Sequence, residues 1–250
     1  MNKAGKKYLE HFNGTIRECE IFCSIARDSG LQRDAIAQLG KLIEELRGLK
    51  AKAVEAGDED LANILLGCES VANCISAEIA MWLLLKEEKP DEAWDQLVTA
   101  QMAAADAARA HKGFEHLEAQ AQRLHEVEQL VFPPQVFVST GLIVRHQECS
   151  VCGKEYGECD HLAGKPYMGQ FCSFIAKDIE PDHVALVKNP ADKRCRIMQF
   201  SVDGGERNRM TWKVQPTQEE TPSRSASNEP LKATARLLRS GQTQGMRRYK

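Results

Sequence analysis

The sequence lacks the marks of several protein classes. None of its apolar runs approaches the roughly 18 uninterrupted residues that a membrane-spanning helix needs, so we expect no membrane partner. No glycine-rich phosphate loop follows a predicted strand, which argues against a nucleotide site. The first ten residues carry three lysines without an apolar segment behind them. We therefore expect no secretory signal, and a cytoplasmic protein.

The composition is that of an ordinary soluble chain. Of the 250 residues, 42% are hydrophobic and 28% are charged, which excludes a collagen-like or a wholly disordered protein. The net charge of −3 conceals an asymmetry. Residues 1–131 carry a net charge of −8, residues 132–214 carry +1 and residues 215–250 carry +4. The acidic first part argues against nucleic-acid binding there, whereas the basic tail leaves nucleic-acid contact open.

The first half of the sequence has the period of α-helices. Apolar residues recur three or four positions apart along Leu39–Ala53 and again along Leu61–Trp82. Gly57 and Asp58 mark the end of one helix and the start of the next, and Asp91 is placed to begin another. The short connections favour antiparallel neighbours. We predict a helical bundle over residues 1–131.

The texture changes after Phe132-Pro133-Pro134, because two consecutive prolines cannot continue a helix. Short β-prone segments follow, including one on each side of Gly141 and another at His183–Val187. The best hairpin turns at Asp203-Gly204-Gly205. We predict an α+β protein with a small β-rich zinc-binding module over residues 132–214. Residues 215–250 are predicted to form a disordered basic tail, with a brief helix near 231–239.

Cysteine is the residue type that points to a site. The chain has nine cysteines, an odd number, and without an export signal a disulfide framework is not expected. Five of them lie close together, and a Cys-x-x-Cys-Gly turn is followed by Cys-x-His, which is a spacing typical of a tetrahedral zinc site. The predicted ligands are Cys149, Cys152, Cys159 and His161. Cys172 is the chief substitute, for Cys159 in particular, and Cys195 and His183 are more distant candidates.

Other interpretations of these residues stay open. They could be buried structural thiols with a surface histidine, although Cys149 and Cys152 have polar neighbours where a free thiol prefers apolar ones. Cys172 with His183 has the residue types of a catalytic thiol pair. A site closed by four protein ligands, by contrast, would be structural, and its zinc would supply folding free energy to a loop that contains four glycines and few apolar side chains.

Two stretches of the second half resemble a small cysteine/histidine element of phage- and prophage-encoded proteins, some of the head-assembly type. They are Cys-Ser-Val-Cys-Gly-Lys-Glu-Tyr-Gly-Glu-Cys-Asp-His-Leu-Ala-Gly-Lys-Pro-Tyr-Met-Gly and the later His-Val-Ala-Leu-Val-Lys-Asn-Pro-Ala-Asp. The resemblance covers residues 149–197, about a fifth of the chain. It implies a bacterial host, a phage or a mobile element as the source. It implies no particular activity.

Two functions are compatible with this pattern. The first is a zinc-stabilised binding or scaffold protein without catalytic activity of its own, which recognises a protein partner or a second copy of itself. The second is a metal-dependent nuclease of the HNH type, because Asp160-His161 is similar to the Asp-His that opens that motif. In that case His161 would activate water, and Asp160 and His183 would hold the metal. The sequence departs from the nuclease pattern in its short spacing after Cys152 and in lacking a second Cys-x-x-Cys.

Overall fold

The computed structural model describes residues 3–216 and 232–237. Over these residues the chain is an α+β protein, as predicted, with five α-helices followed by an antiparallel sheet. The helices are α1 (Lys3–Glu20), α2 (Ser29–Glu55), α3 (Glu59–Lys86), α4 (Pro90–Ala110) and α5 (Glu118–Val131), with a 3₁₀ turn at Lys112–Leu117 between the last two.

The predicted helix boundaries between α2 and α3 are confirmed. Gly57 adopts a left-handed φ of 70° just after α2 ends, a conformation that favours glycine. The carboxylate of Asp58 then accepts a hydrogen bond from the amide of Leu61 at 3.1 Å, which satisfies one of the free amides at the start of α3. Helix α4 begins at Pro90, one residue before the predicted start, because proline fits the first position of a helix.

Helix α3 is the central helix of the bundle. It contacts both α2 and α4, and it is buried around most of its circumference rather than along the single stripe that the sequence suggested. By length and composition alone it could cross a membrane, but 78% of its most apolar 18-residue window is buried inside the protein. A core helix of a bundle has this composition for the same reason, since it has no face directed to water.

Trp94 of α4 connects the bundle to the sheet. Its ring lies edge-on to Phe132 with 5.4 Å between centroids, and its indole nitrogen donates to the carbonyl of Lys193 at 3.0 Å. The guanidinium of Arg196, which is fully buried, lies over the same ring and pairs with Asp91 at 2.5 Å. Helix and sheet therefore share one aromatic and ionic contact region.

The sheet follows the predicted change from helix to strand at Phe132-Pro133-Pro134. Its strands are β1 (Phe137–Cys149), β4 (Phe174–Val187), β5 (Arg196–Val202), β6 (Gly205–Asn208), β7 (Val214–Gln215) and β8 (Ala233–Arg236), while β2 (Pro166–Tyr167) and β3 (Gln170–Phe171) form a separate pair. The order is β4-β1-β5-β6-β7, with β8 also paired to β5.

Strands β1 and β4 differ from the sequence expectation in length. The two segments beside Gly141 form one continuous strand, because a β-bulge at Gly141/Leu142 lets the pairing continue past the irregularity. The predicted strand at 183–187 is only the end of β4, which begins at Phe174. The result is a long two-stranded ribbon. Strand β1 pairs with β5 only at Phe137, opposite Arg196.

The predicted hairpin turn is confirmed, since Val202 pairs with Gly205 across the turn. The returning strand β6 ends at Asn208, so Met210 and Trp212 lie outside it. In the predicted tail, residues 233–236 form strand β8 instead of the expected brief helix, because pairing with β5 satisfies their backbone groups. The rest of the predicted disordered tail, residues 217–231 and 238–250, lies outside the described residues.

Candidate metal centre

The structure brings together the four side chains that the sequence singled out. The ligand atoms of Cys149, Cys152, Cys159 and His161 all lie within 4.8 Å of one another. Among the described residues this is the one group of three or more cysteine, histidine or acidic side chains with such a spacing. Cys149 is buried, Cys152 is exposed, and the other two are partly buried. The cluster therefore lies at the surface with one ligand directed inward.

The Cys-x-x-Cys-Gly segment forms a tight turn after β1 ends. The amide of Gly153 donates to the carbonyl of Cys149 at 2.9 Å, and Gly153 takes a left-handed φ of 70°, which a residue with a Cβ adopts only at a cost. Inside the turn the amide of Val151 donates to the sulfur of Cys149 at 3.4 Å. Amide donors directed at a sulfur stabilise its thiolate form.

Two tyrosines position the loop that carries His161. The hydroxyl of Tyr156 accepts from the amide of Ala163 at 3.1 Å, and that of Tyr167 accepts from the amide of Leu162 at 3.0 Å. The Tyr167 ring also lies edge-on to the imidazole of His161, with 4.7 Å between centroids. Neither tyrosine was predicted from the sequence to position the loop, although both belong to the Cys/His-rich stretch.

The electrostatics of the cluster favour one thiolate before the others. Burial opposes ionisation of Cys149, but the amides of Cys152 and Val151 outweigh it and lower the pKa of that thiol to about 6. Burial raises the pKa of the neighbouring Cys172 thiol to about 12, and the charge of Cys149 adds to this effect. A set of crowded sulfurs cannot all ionise without a positive charge among them.

The donor set fits a zinc ion. Three thiols and one imidazole are a common ligand set of structural zinc sites, which take four protein donors in a tetrahedron. The Nδ1 atom of His161 is buried and has no hydrogen-bond partner in the structure, which is unusual for a buried polar atom and leaves it in need of a proton acceptor or a cation. Cysteine and histidine would hold the ion, and the ion would cross-link the loop.

The other residues that the sequence raised lie in different settings. Cys172 is adjacent to the cluster, with its sulfur 3.8 Å from that of Cys149. Cys195 is outside the group, and its carbonyl accepts from the amide of Val138. His183 lies on β4 and contacts the carboxylate of Asp182 at 2.9 Å. Neither His183 nor Asp160 belongs to the metal-competent group that contains His161.

Side chains of the helical bundle hold the loop from the other side, and no sequence pattern indicated these contacts. The amide of Gly169, between β2 and β3, donates to Asn63 of α3 at 2.9 Å, and the amide of Met168 donates to Glu59 at 3.4 Å. The guanidinium of Arg109 lies 5.1 Å from the centroid of the Phe171 ring. The β2–β3 pair is therefore attached to α3 and α4.

Comparisons with protein-family models, curated proteins and solved structures give no match. The resemblance of residues 149–197 to an element of phage-encoded proteins gains no support from them.

Proposed function

We propose that this chain is a protein-binding scaffold whose β module is held in shape by a structural zinc ion. The observation that carries the proposal is the convergence of three thiols and one imidazole within 4.8 Å. A set of four protein donors leaves no coordination position for a substrate or a reactive water, which is the property that separates structural from catalytic zinc sites.

The loop needs such an ion because almost none of its residues are buried. Between Cys149 and Cys172, only Gly169 is buried. Apolar burial is the main source of folding free energy, so a segment of more than twenty residues with so little of it needs another source. Metal binding to a site that exists only in the folded chain provides that free energy.

The β1–β4 ribbon offers the binding surface. Its register places Thr140 beside Val184, Leu142 beside Pro181 and Val144 beside Ile179, and alternate residues of a strand share one face. Leu186 is 70% exposed, and Val184 on the same face is 57% exposed. Within the described residues nothing covers these side chains, and a two-stranded ribbon with an exposed apolar face is marginally stable in water. A partner that covers this face would stabilise it.

The partner that we propose is a second copy of the chain. The face carries no charged side chain from Thr140 to Val144 or at their partners Val184, Pro181 and Ile179, so two such faces can stack there as sheets do, about 10 Å apart. The acidic residues 1–131 and the basic residues 215–250 would attract each other between copies. A reducing compartment such as the cytoplasm belongs to the same proposal, since all nine cysteines are free thiols. A source in a bacterium, a phage or a mobile element belongs to it on the resemblance alone.

Metal analysis of the purified protein tests this function. We expect about one zinc per chain in the wild type and in Cys195→Ser, a matched control outside the cluster, and loss of that zinc in Cys149→Ser/Cys152→Ser, which lacks two ligands. Mg²⁺-dependent nicking of DNA that disappears in a folded His161→Ala variant would replace the scaffold by the nuclease. A wild type without stoichiometric metal would remove the basis of both.

A further inference from the structure

Cys172 is a fifth ligand group at a site with four places. Its sulfur lies 3.8 Å from the sulfur of Cys149. Two thiolates bound to one tetrahedral zinc, each at about 2.3 Å, are separated by about 3.8 Å. The observed distance is therefore the one that two ligands of the same ion require.

The position of Cys172 is fixed by the backbone around it. Its carbonyl accepts from the amide of Gly164 at 2.8 Å, and its amide donates to the carbonyl of Lys165 at 2.9 Å. The next residue, Ser173, is tied to Ser150 by two hydrogen bonds, of 2.9 Å and 2.8 Å. Because Ser150 follows Cys149, these bonds hold the backbones of Cys149 and Cys172 side by side.

Cys172 and Cys149 together form the inner side of the cluster. They are 2% and 1% exposed respectively, while Cys152 is exposed and His161 is partly buried. A ligand on the outer side can leave the metal and meet water. A ligand on the inner side is already enclosed and is positioned to replace it.

We propose that Cys172 is a reserve ligand, which takes the coordination position of His161 when the imidazole leaves. In this exchange the bond from the metal to the imidazole nitrogen breaks, the Cys172 thiol gives its proton to solvent, and a metal–sulfur bond forms. No oxidation or reduction takes place. Three thiolates and an imidazole leave a net charge of −1 around Zn²⁺, whereas four thiolates leave −2, so the imidazole is preferred while it is present. The proposal rests on the proposed zinc site.

Cobalt substitution tests the exchange, because the visible absorption of tetrahedral Co²⁺ differs between three and four sulfur ligands. We expect the wild type and Cys172→Ser to give the same spectrum, of three sulfurs and one nitrogen. His161→Ala should bind Co²⁺ with a four-sulfur spectrum and gain one thiolate-to-cobalt charge-transfer contribution. Cys195→Ser serves as the control thiol.

The double variant His161→Ala/Cys172→Ser completes the test. We expect it to lose metal affinity far beyond either single variant, by more than the roughly hundredfold effect of an ordinary outer-shell substitution. If His161→Ala alone releases the metal, or if Cys172→Ser changes the wild-type spectrum, Cys172 is not a reserve ligand. Either result is compatible with a zinc site in the wild type. A wild type that binds neither Zn²⁺ nor Co²⁺ contradicts both proposals.

Discussion

The backbone amide of Gly169 donates a hydrogen bond of 2.9 Å to the side-chain oxygen of Asn63. This bond joins the loop that follows the candidate ligands to helix α3 in the middle of the bundle. Gly169 is buried, and its φ of 73° is one that other residues adopt at a cost. The loop therefore has two supports, the proposed ion at one end and the bundle at the other.

Removing Asn63 should weaken the second support. In Asn63→Ala the buried amide of Gly169 loses its acceptor, and we expect a loss of about 1–3 kcal/mol in the free energy of unfolding. Asn13→Ala, at an exposed position of α1, should change it by less than about 0.5 kcal/mol. Denaturant titration of both variants measures the difference. Equal stability of the two would show that the Asn63 contact is incidental.

A buried carboxylate makes the bundle sensitive to another substitution. Glu78 of α3 is fully buried and pairs with the guanidinium of Arg123, and Gln120 donates to it at 3.3 Å. Glu78→Ala leaves both donors without their acceptor, and we expect a loss of about 3 kcal/mol or more. Glu78→Ala should lower the free energy of unfolding by less in an Arg123→Ala background than in the wild type. Additive losses in this double-mutant cycle would contradict the pairing.

The stability of the bundle should fall at alkaline pH. Burial raises the pKa of Cys68 and of Cys74 from 9.0 to about 12, and for Cys74 the charge of Glu78 adds to it. At a pH between 9 and 12, each of these thiols loses its proton in the unfolded chain and keeps it in the native chain. These two thiols therefore leave stability unchanged below pH 9 and lower it above that pH, by up to about 1.4 kcal/mol per pH unit and thiol.

Chemical denaturation at pH 8, 9 and 10 measures that decline. The variant Cys68→Ala/Cys74→Ala should lose less stability per pH unit than the wild type, because it lacks two of the thiols whose pKa burial raises. The two proteins should not decline in parallel. A parallel decline would assign the pH dependence to other groups.

The ribbon face gives a prediction about association. Leu186→Lys places a charge within the proposed contact, where an unpaired buried charge is costly. We expect this variant to be monomeric in sedimentation equilibrium under conditions in which the wild type is a dimer. Ile143→Lys is the matched control, since Ile143 is also exposed but lies on the opposite face of β1. Monomeric wild-type protein at high concentration, or equal loss in both variants, would contradict association through this face.

The sequence predicted the fold class and the composition of the cluster for physical reasons that can be named. The periodic apolar residues of α2 and the break at Gly57-Asp58 are local signals, and so is the Cys-x-x-Cys-Gly turn. Pairings between distant residues leave no such signal. Neither the extension of β4 to Phe174 nor the strand at 233–236 could be read from composition, because both depend on a neighbouring strand.

The supports of the site were hidden for the same reason. Asn63 and Gly169 are 106 positions apart in the chain, and Arg109 lies against Phe171 from another helix. Asn63 and Arg109 are ordinary polar residues of helices until the loop is placed on them. Cys172 was expected near Cys149 only as an alternative zinc ligand, in place of Cys159 in particular. The serine pair that holds them side by side was not expected at all.

Hydrogen exchange of the zinc-loaded and the chelator-treated protein tests the central claim most directly. We predict that removal of zinc abolishes the protection of amides in residues 151–163 and leaves those of α2 and α3 unchanged, because the ion, and not apolar burial, organises that part of the loop. Protection of residues 151–163 that is the same with and without metal would contradict the account.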